Sequence, residues 1–256
     1  MIEFFVVIFG LIIGSFLNVL IYRLPLGISL VNPKRSFCTS CKTQIKWYEN
    51  IPIFSYIFLK AKCPNCSIKI SMVYPIVELT TATLTLLLFI KYGLDNNFYL
   101  SLFLVYTLIV LSFIDFEYKA VPDYLLLIAI VTSFFTFDFS FKNAMLFAGG
   151  FVLLDFFITY YIQNIKAKIT KNDDLLDQTA LGEGDIPIVA IIGGMLGIKL
   201  GLVAIFLASL FAILPAIYNI IKKNEIETPF IPFLVMGLLS CLLFSEFILD
   251  IMKGLI

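Results

Sequence analysis

Apolar stretches broken by short polar segments run along almost the whole chain. Eight of them read as candidate membrane spans, at residues 2–21, 74–90, 98–114, 124–137, 144–162, 186–198, 202–221 and 230–249. Most approach the roughly 20 residues that a helix needs to cross hydrocarbon, while the fourth and sixth are short for a full crossing. The expected architecture is an all-α, polytopic membrane helix bundle of about eight spans. The first run reads as an integral span (1–22), because no small-residue cleavage site precedes Arg23. A polar insert follows at 23–73, and residues 74–256 make up the main membrane domain.

Charge sets an orientation. If eight spans alternate, the segments 22–73, 115–123, 163–185 and 222–229 share one side, and 14 of the 18 Lys and Arg residues lie there. That bias predicts a cytoplasmic location for these four segments and outward-facing termini. Composition agrees with membrane residence, at 61% hydrophobic residues and a mean hydropathy of +1.01. The lipid bilayer is the expected partner, and no nucleic acid is. Histidine is absent, which excludes Ser-His-Asp triads, Cys-His pairs and HExxH zinc sites. Acid–base chemistry therefore falls to carboxylates, Lys, Tyr or Cys.

Four of the five cysteines lie in the first insert, as Cys38-x-x-Cys41 and Cys63-x-x-Cys66. Each pair can give two thiolates to one tetrahedral ion, and the 21 residues between the pairs slightly exceed the usual zinc-ribbon spacing. Four sulfur ligands leave no open position, so the predicted ion is a structural Zn²⁺. Two disulfides are the alternative, and a reducing cytoplasmic loop argues against them. Cys241, inside the last run, reads as a packing residue.

Acids near hydrocarbon are costly and usually have a partner and a role. Asp185 ends the run Gly182-Glu183-Gly184-Asp185 before an apolar segment, and Asp115 ends the apolar run 98–114. Both fall on the predicted cytoplasmic side, next to the two short spans, where water can reach them. Two such carboxyls could share one proton and activate water, as in aspartyl proteases. Gly182 and Gly184 would leave room for a substrate backbone. The plainer reading is a Gly-rich turn with Asp185 capping the next helix. Asp123, after Pro122, is expected to cap a helix. Glu78 and Asp155 lie deeper, and each is expected to have a polar partner; Glu78 either positions substrate or pairs with a lysine. Glu246 and Asp250 read as interfacial charge.

With these residues in view, the chain resembles the bacterial type IV prepilin peptidases, membrane aspartyl proteases of the GxGD kind. The likeness covers nearly the full length. It includes Gly14-Ser15-Phe16-Leu17-Asn18, Tyr22-Arg23-Leu24-Pro25, the four cysteines with Trp47-Tyr48-Glu49-Asn50-Ile51-Pro52, and Tyr74-Pro75-Ile76-Val77-Glu78. Further on come Ile114-Asp115, Val121-Pro122-Asp123, the Gly182–Asp185 run and Pro229-Phe230-Ile231-Pro232. The resemblance implies removal of short basic leaders from type IV prepilins or type II secretion pseudopilins, after a Gly, at the cytoplasmic face of the inner membrane. It carries the catalytic pair onto Asp115 and Asp185, the pair the residues themselves suggest; Glu78, Asp123, Gly182 and Gly184 stand beside it as candidates, from the residues alone, for positioning substrate. It also implies N-methylation of the new amine by S-adenosylmethionine, associated with the N-terminal region and its cysteine loop.

The chain departs from the family pattern at Pro187, where a Lys is usual, at Lys60-Ala61-Lys62 before the third cysteine, and at Val73 before Tyr74-Pro75. Asp173, Asp174, Asp177 and Glu183 gather near Asp185 and could attract a basic leader; an ordinary solvated loop is the alternative. Two rival functions predict different behaviour. A proton-linked transporter would use Glu78, Asp115, Asp155 and Asp185 as a relay, and a zinc-loop scaffold of a secretion or pilus machine would tolerate Asp115→Asn and Asp185→Asn.

Overall fold

The structure is a computed structural model, and it describes residues 1–33, 35–136, 139–170, 175–179, 181–221 and 228–254. Among these residues every regular element is helical, and the only extended pairings are two isolated β-bridges. The chain divides into two compact units, Met1–Tyr118 and Lys119–Ile256.

In the first unit, α1 (Ile2–Arg23) lies against α3 (Val73–Tyr92), and α4 (Asn96–Tyr118) packs on both. Between α1 and α3 come a 3₁₀ turn (Trp47–Asn50) and the short α2 (Phe54–Phe58). Gly10 and Gly14 set the α1–α3 approach. A Cβ on Gly10 would stand 2.6 Å from the Ala82 Cα, and one on Gly14 would stand 2.7 Å from the Glu78 Cα. This is the small-xxx-small device of membrane helices, which substitutes backbone contact for a hydrophobic drive that lipid cannot supply. Polar side chains add ties: the Asn18 amide donates to the Tyr74 carbonyl (3.1 Å), and Thr85 and Tyr106 hydroxyls meet at 2.8 Å.

In the second unit, α8 (Asp185–Ile221) is the central helix, with α5 (Asp123–Phe134), α6 (Phe141–Tyr160) and α9 (Ile231–Leu243) against it. A six-residue π-helix (Tyr161–Lys166) and α7 (Ala167–Thr170) prolong α6, and α10 (Ser245–Gly254) follows α9. Phe147 of α6 occupies the space left by Gly193 and Gly201 of α8.

Among the described residues five helices are long and apolar enough to cross a membrane, or six if α9 and α10, bent by 83°, make one span. The expected eight are therefore not reached by this measure. Each expected run contains a helix, but α5 has only 12 residues, and the runs 186–198 and 202–221 join in one element broken at Gly197 (φ 70°, ψ −175°). An apolar run of given length reports contact with lipid or core, and a half-length helix satisfies it as well as a full crossing does.

Candidate active site and metal centre

The two cysteine pairs fold into matching knuckles. The Cys38 N–H donates to the Thr43 carbonyl and the Lys42 N–H to the Cys38 carbonyl, both at 2.9 Å. Cys63 with Ile68, and Ser67 with Cys63, repeat this pattern. Lys42 and Ser67 both take positive φ, at 58°, and the bridges Phe37–Gln44 and Lys62–Lys69 close the two knuckles. All four sulfurs lie within 4.8 Å of one another, with Cys38–Cys66 at 3.8 Å and Cys41–Cys63 at 4.0 Å. Around an ion with Zn–S bonds of about 2.3 Å, tetrahedral sulfurs stand about 3.8 Å apart. The donors thus fit a four-thiolate zinc centre, and the spacings are too long for disulfides. Hydrogen bonding with Thr43, side chain and backbone, and with Asn65 draws the Cys41 thiol down to about 5, which favours metal binding through sulfur.

Beside this centre the first unit holds a cavity of about 400 Å³. Cys38 and Cys63 form part of its wall, together with Tyr22, Phe37, Tyr56 and Tyr74 and the acids Glu49, Glu78 and Glu117. Arg23 organises one side. It is buried, and its guanidinium donates to the carbonyls of Ser29, Leu30, Pro33 and Arg35 at 2.8–3.4 Å. Glu78, 8% exposed, accepts from the Ile53 N–H at 2.8 Å. Among the described residues it is thus met by a backbone amide and the Ser15 side chain, where the sequence had allowed a lysine. Ile53 is itself unusual, with φ 62° and ψ −50°, and the Phe54 N–H donates across it to the Pro52 carbonyl at 2.6 Å. That is the rare, positive-φ form of γ-turn, strained for a β-branched residue. Backbone strain of this kind gathers at functional sites. Sequence reasoning missed Arg23 and Ile53 because neither has a local signal beyond Pro52 and an arginine at a span end.

In the second unit the Gly182–Asp185 run is a tight turn. The Asp185 N–H donates to the Gly182 carbonyl (3.0 Å), and the Gly182 N–H donates back to Asp185 Oδ2 (3.2 Å). Asp185 opens α8 and is 5% exposed. The two glycines differ. A Cβ on Gly184 would come 2.9 Å from Val121 and 3.3 Å from Ile231, whereas on Gly182 the nearest contact is Asp185 Oδ2 itself at 3.4 Å. Gly184 is therefore a packing position, where segments around Val121 and Ile231 converge. Asp123 does not cap α5: Pro122 holds the N-cap position without a side-chain bond, and Asp123 is the first helical residue, exposed. A carboxylate there still favours the helix dipole.

Asp115 belongs to the first unit, in the last turn of α4, and is 8% exposed. Among the described acidic residues only Glu78, Asp115 and Asp185 are buried. Asp177 and Glu183 are exposed, and Asp173 and Asp174 lie outside the described residues.

Membrane-length helices, a four-cysteine cluster able to hold a metal ion and buried carboxyls define a multi-pass membrane protein equipped for acid–base chemistry. Residues 8–92 match the family model of the bacterial peptidase A24 N-terminal domain, and residues 102–217 match that of the type IV leader peptidase family. The prepilin leader peptidase/N-methyltransferase of Neisseria gonorrhoeae is 33% identical over 85% of this chain and 82% of its own length. Proteins of the same name are similar in Bacillus subtilis (strain 168), at 29% identity over 95% of this chain and 94% of theirs, and in Myxococcus xanthus (strain DK1622), at 36% over 75% and 55%. The chain thus spans just over half of the M. xanthus protein. No solved structure matches. The chain belongs to the type IV leader peptidase family, and the resemblance read from its motifs is borne out.

Proposed function

We propose that this protein cuts the basic leader from type IV prepilin or pseudopilin precursors, after Gly, at the cytoplasmic face of the inner membrane, with Asp115 and Asp185 as the catalytic pair. The observation that carries this reading is burial: of all the described aspartates, only these two are buried. One carboxylate takes a proton from water as the oxygen adds to the scissile carbonyl carbon. The other, protonated, donates to the carbonyl oxygen. Collapse of the resulting diol breaks the C–N bond: one diol hydroxyl returns its proton to the carboxylate that had donated, and the other carboxyl gives its proton to the leaving amine. The pair ends with one proton as it began. The turn supports this role, since the Gly182 N–H fixes the Asp185 carboxylate.

The same reading gives the chain a second activity, N-methylation of the amine just released, in the cavity of the first unit. S-adenosylmethionine would supply a methyl group on a sulfonium. The cavity's aromatic walls and carboxylates suit a cationic sulfur and an adenine ring. Glu78 would hold the ammonium and take its proton before the C–S bond breaks and the N–C bond forms. Zn²⁺ on Cys38, Cys41, Cys63 and Cys66 would fix the wall without entering the chemistry.

One experiment tests both parts: purified protein in detergent, a prepilin-type precursor, and product masses with and without S-adenosylmethionine. Wild type is expected to cut after Gly and add one methyl. Asp115→Asn and Asp185→Asn are each expected to lose cleavage by about 10²–10⁴-fold, the range of a positioned acid or base. Glu78→Gln is expected to cut but to leave the product unmethylated. Full cleavage by either Asn variant overturns the pair, and full methylation by Glu78→Gln overturns the cavity assignment. No cleavage by zinc-loaded wild type would favour the transporter or scaffold.

A further inference from the structure

The later half of α6 is almost wholly apolar and outward-facing; Leu153, Leu154, Phe156 and Phe157 are all exposed. Against that background Asp155, Thr159 and Gln163 recur at intervals of four. Asp155 is half-buried, and its Oδ1 accepts two hydrogen bonds, from the Thr159 hydroxyl (3.2 Å) and from the Leu181 N–H (3.0 Å). Eight residues on, the Gln163 side-chain amide donates to the Gln178 carbonyl at 3.1 Å. Gln178 and Leu181 therefore meet this polar stripe at its two ends, in the reverse order to the helix residues that hold them. Leu181 is followed at once by Gly182, whose N–H binds the Asp185 carboxylate.

We propose that Asp155 is a positioning residue for the peptidase: by holding the Leu181 N–H it fixes the register of the turn that aims Asp185. This rests on the assignment of Asp185 to the catalytic pair. A carboxyl at this depth is costly without a task, and its oxygen here accepts a backbone N–H at good hydrogen-bond length. The π-helical turn fits the same role. An inserted residue turns the helix surface, and such turns are rare outside functional sites; here it brings Gln163 to the Gln178 carbonyl. The requirement is for an acceptor oxygen facing Leu181, which Asn also offers.

The test compares full-length, zinc-loaded wild type with Asp155→Ala and Asp155→Asn, reading amide exchange across residues 178–185 together with kcat and KM for leader cleavage. In Asp155→Ala, exchange at Leu181 is expected to rise and kcat to fall by about 10-fold or more, as for a lost hydrogen bond, with KM within about 3-fold. Asp155→Asn is expected to recover most of both. Gln163→Met, at the exposed end of the stripe, provides an independent variant and is expected to speed exchange at the start of the segment. Unchanged exchange in Asp155→Ala overturns the proposal, as does faster exchange with unchanged kcat, or an Asn variant as impaired as Ala. Should Asp185→Asn keep full cleavage, the catalytic pair fails instead, while the exchange data still report on the stripe.

Discussion

At the residue scale, a methyl group at Gly182 and one at Gly184 meet different surroundings. At Gly184 it would press on Val121 and Ile231, both anchored at helix starts. Gly184→Ala is therefore expected to cost about 1–3 kcal/mol of stability by overpacking, read as a lower unfolding midpoint in detergent. At Gly182 the added methyl only reaches contact distance from the Asp185 carboxylate. Gly182→Ala is expected to keep its stability and to raise KM for the precursor about 10-fold or more, if the substrate backbone lies there. The sequence alone treated the two glycines as equivalent, because spacing cannot tell a packed glycine from an open one. It did expose the cysteines, since ligands two residues apart form a chelate by local geometry. Glu78 was legible as costly but not in its bond, because Ile53 is 25 residues away.

Helices extend beyond the runs that announce them. Apolar residues stop at Ile114, yet α4 continues to Tyr118, so Asp115 sits inside a hydrogen-bonded turn and not after it. Likewise the α6 rod carries on through Gln163, Asn164, Lys166 and Lys168. Hydropathy marks where side chains meet lipid or core, while backbone bonding continues as long as the chain tolerates it. Gly197 is the opposite case, a break inside an unbroken apolar pattern. Its φ of 70° with ψ near 180° belongs to a region open essentially to glycine alone. With open space around it beyond Asn143, Gly197→Ala is strained by backbone alone. The expected loss is about 1–3 kcal/mol, visible as a lower thermal midpoint, while Gly149→Ala, in a regular helix with nothing near, should be neutral or slightly stabilising.

On the scale of the whole molecule, the two units bear different chemistry. The first contains the metal centre, the cavity and Asp115; Asp185, with the stripe on α6, belongs to the second. Because Cys38 and Cys63 form cavity wall, loss of the metal is expected to reach methyl transfer first. Treatment with a strong chelator, or Cys63→Ser, should lower methylation by at least about 10-fold while cleavage falls less, and zinc added back should restore the chelated wild type but not the variant. A parallel fall in both activities would count against a cavity-specific role for the metal. The glycine contact between α1 and α3 also bears on how the chain assembles. These helices meet backbone to backbone, but residues 24–72 must be made before the partner exists. Closing so long a loop carries an entropic cost that grows with its length. Each knuckle forms from a few neighbouring residues, and an ion shared by the four cysteines would cinch the two and shorten the loop that α1 and α3 must close. Metal capture would on that account come early in biogenesis, as a step that prepares the first helix pair to close.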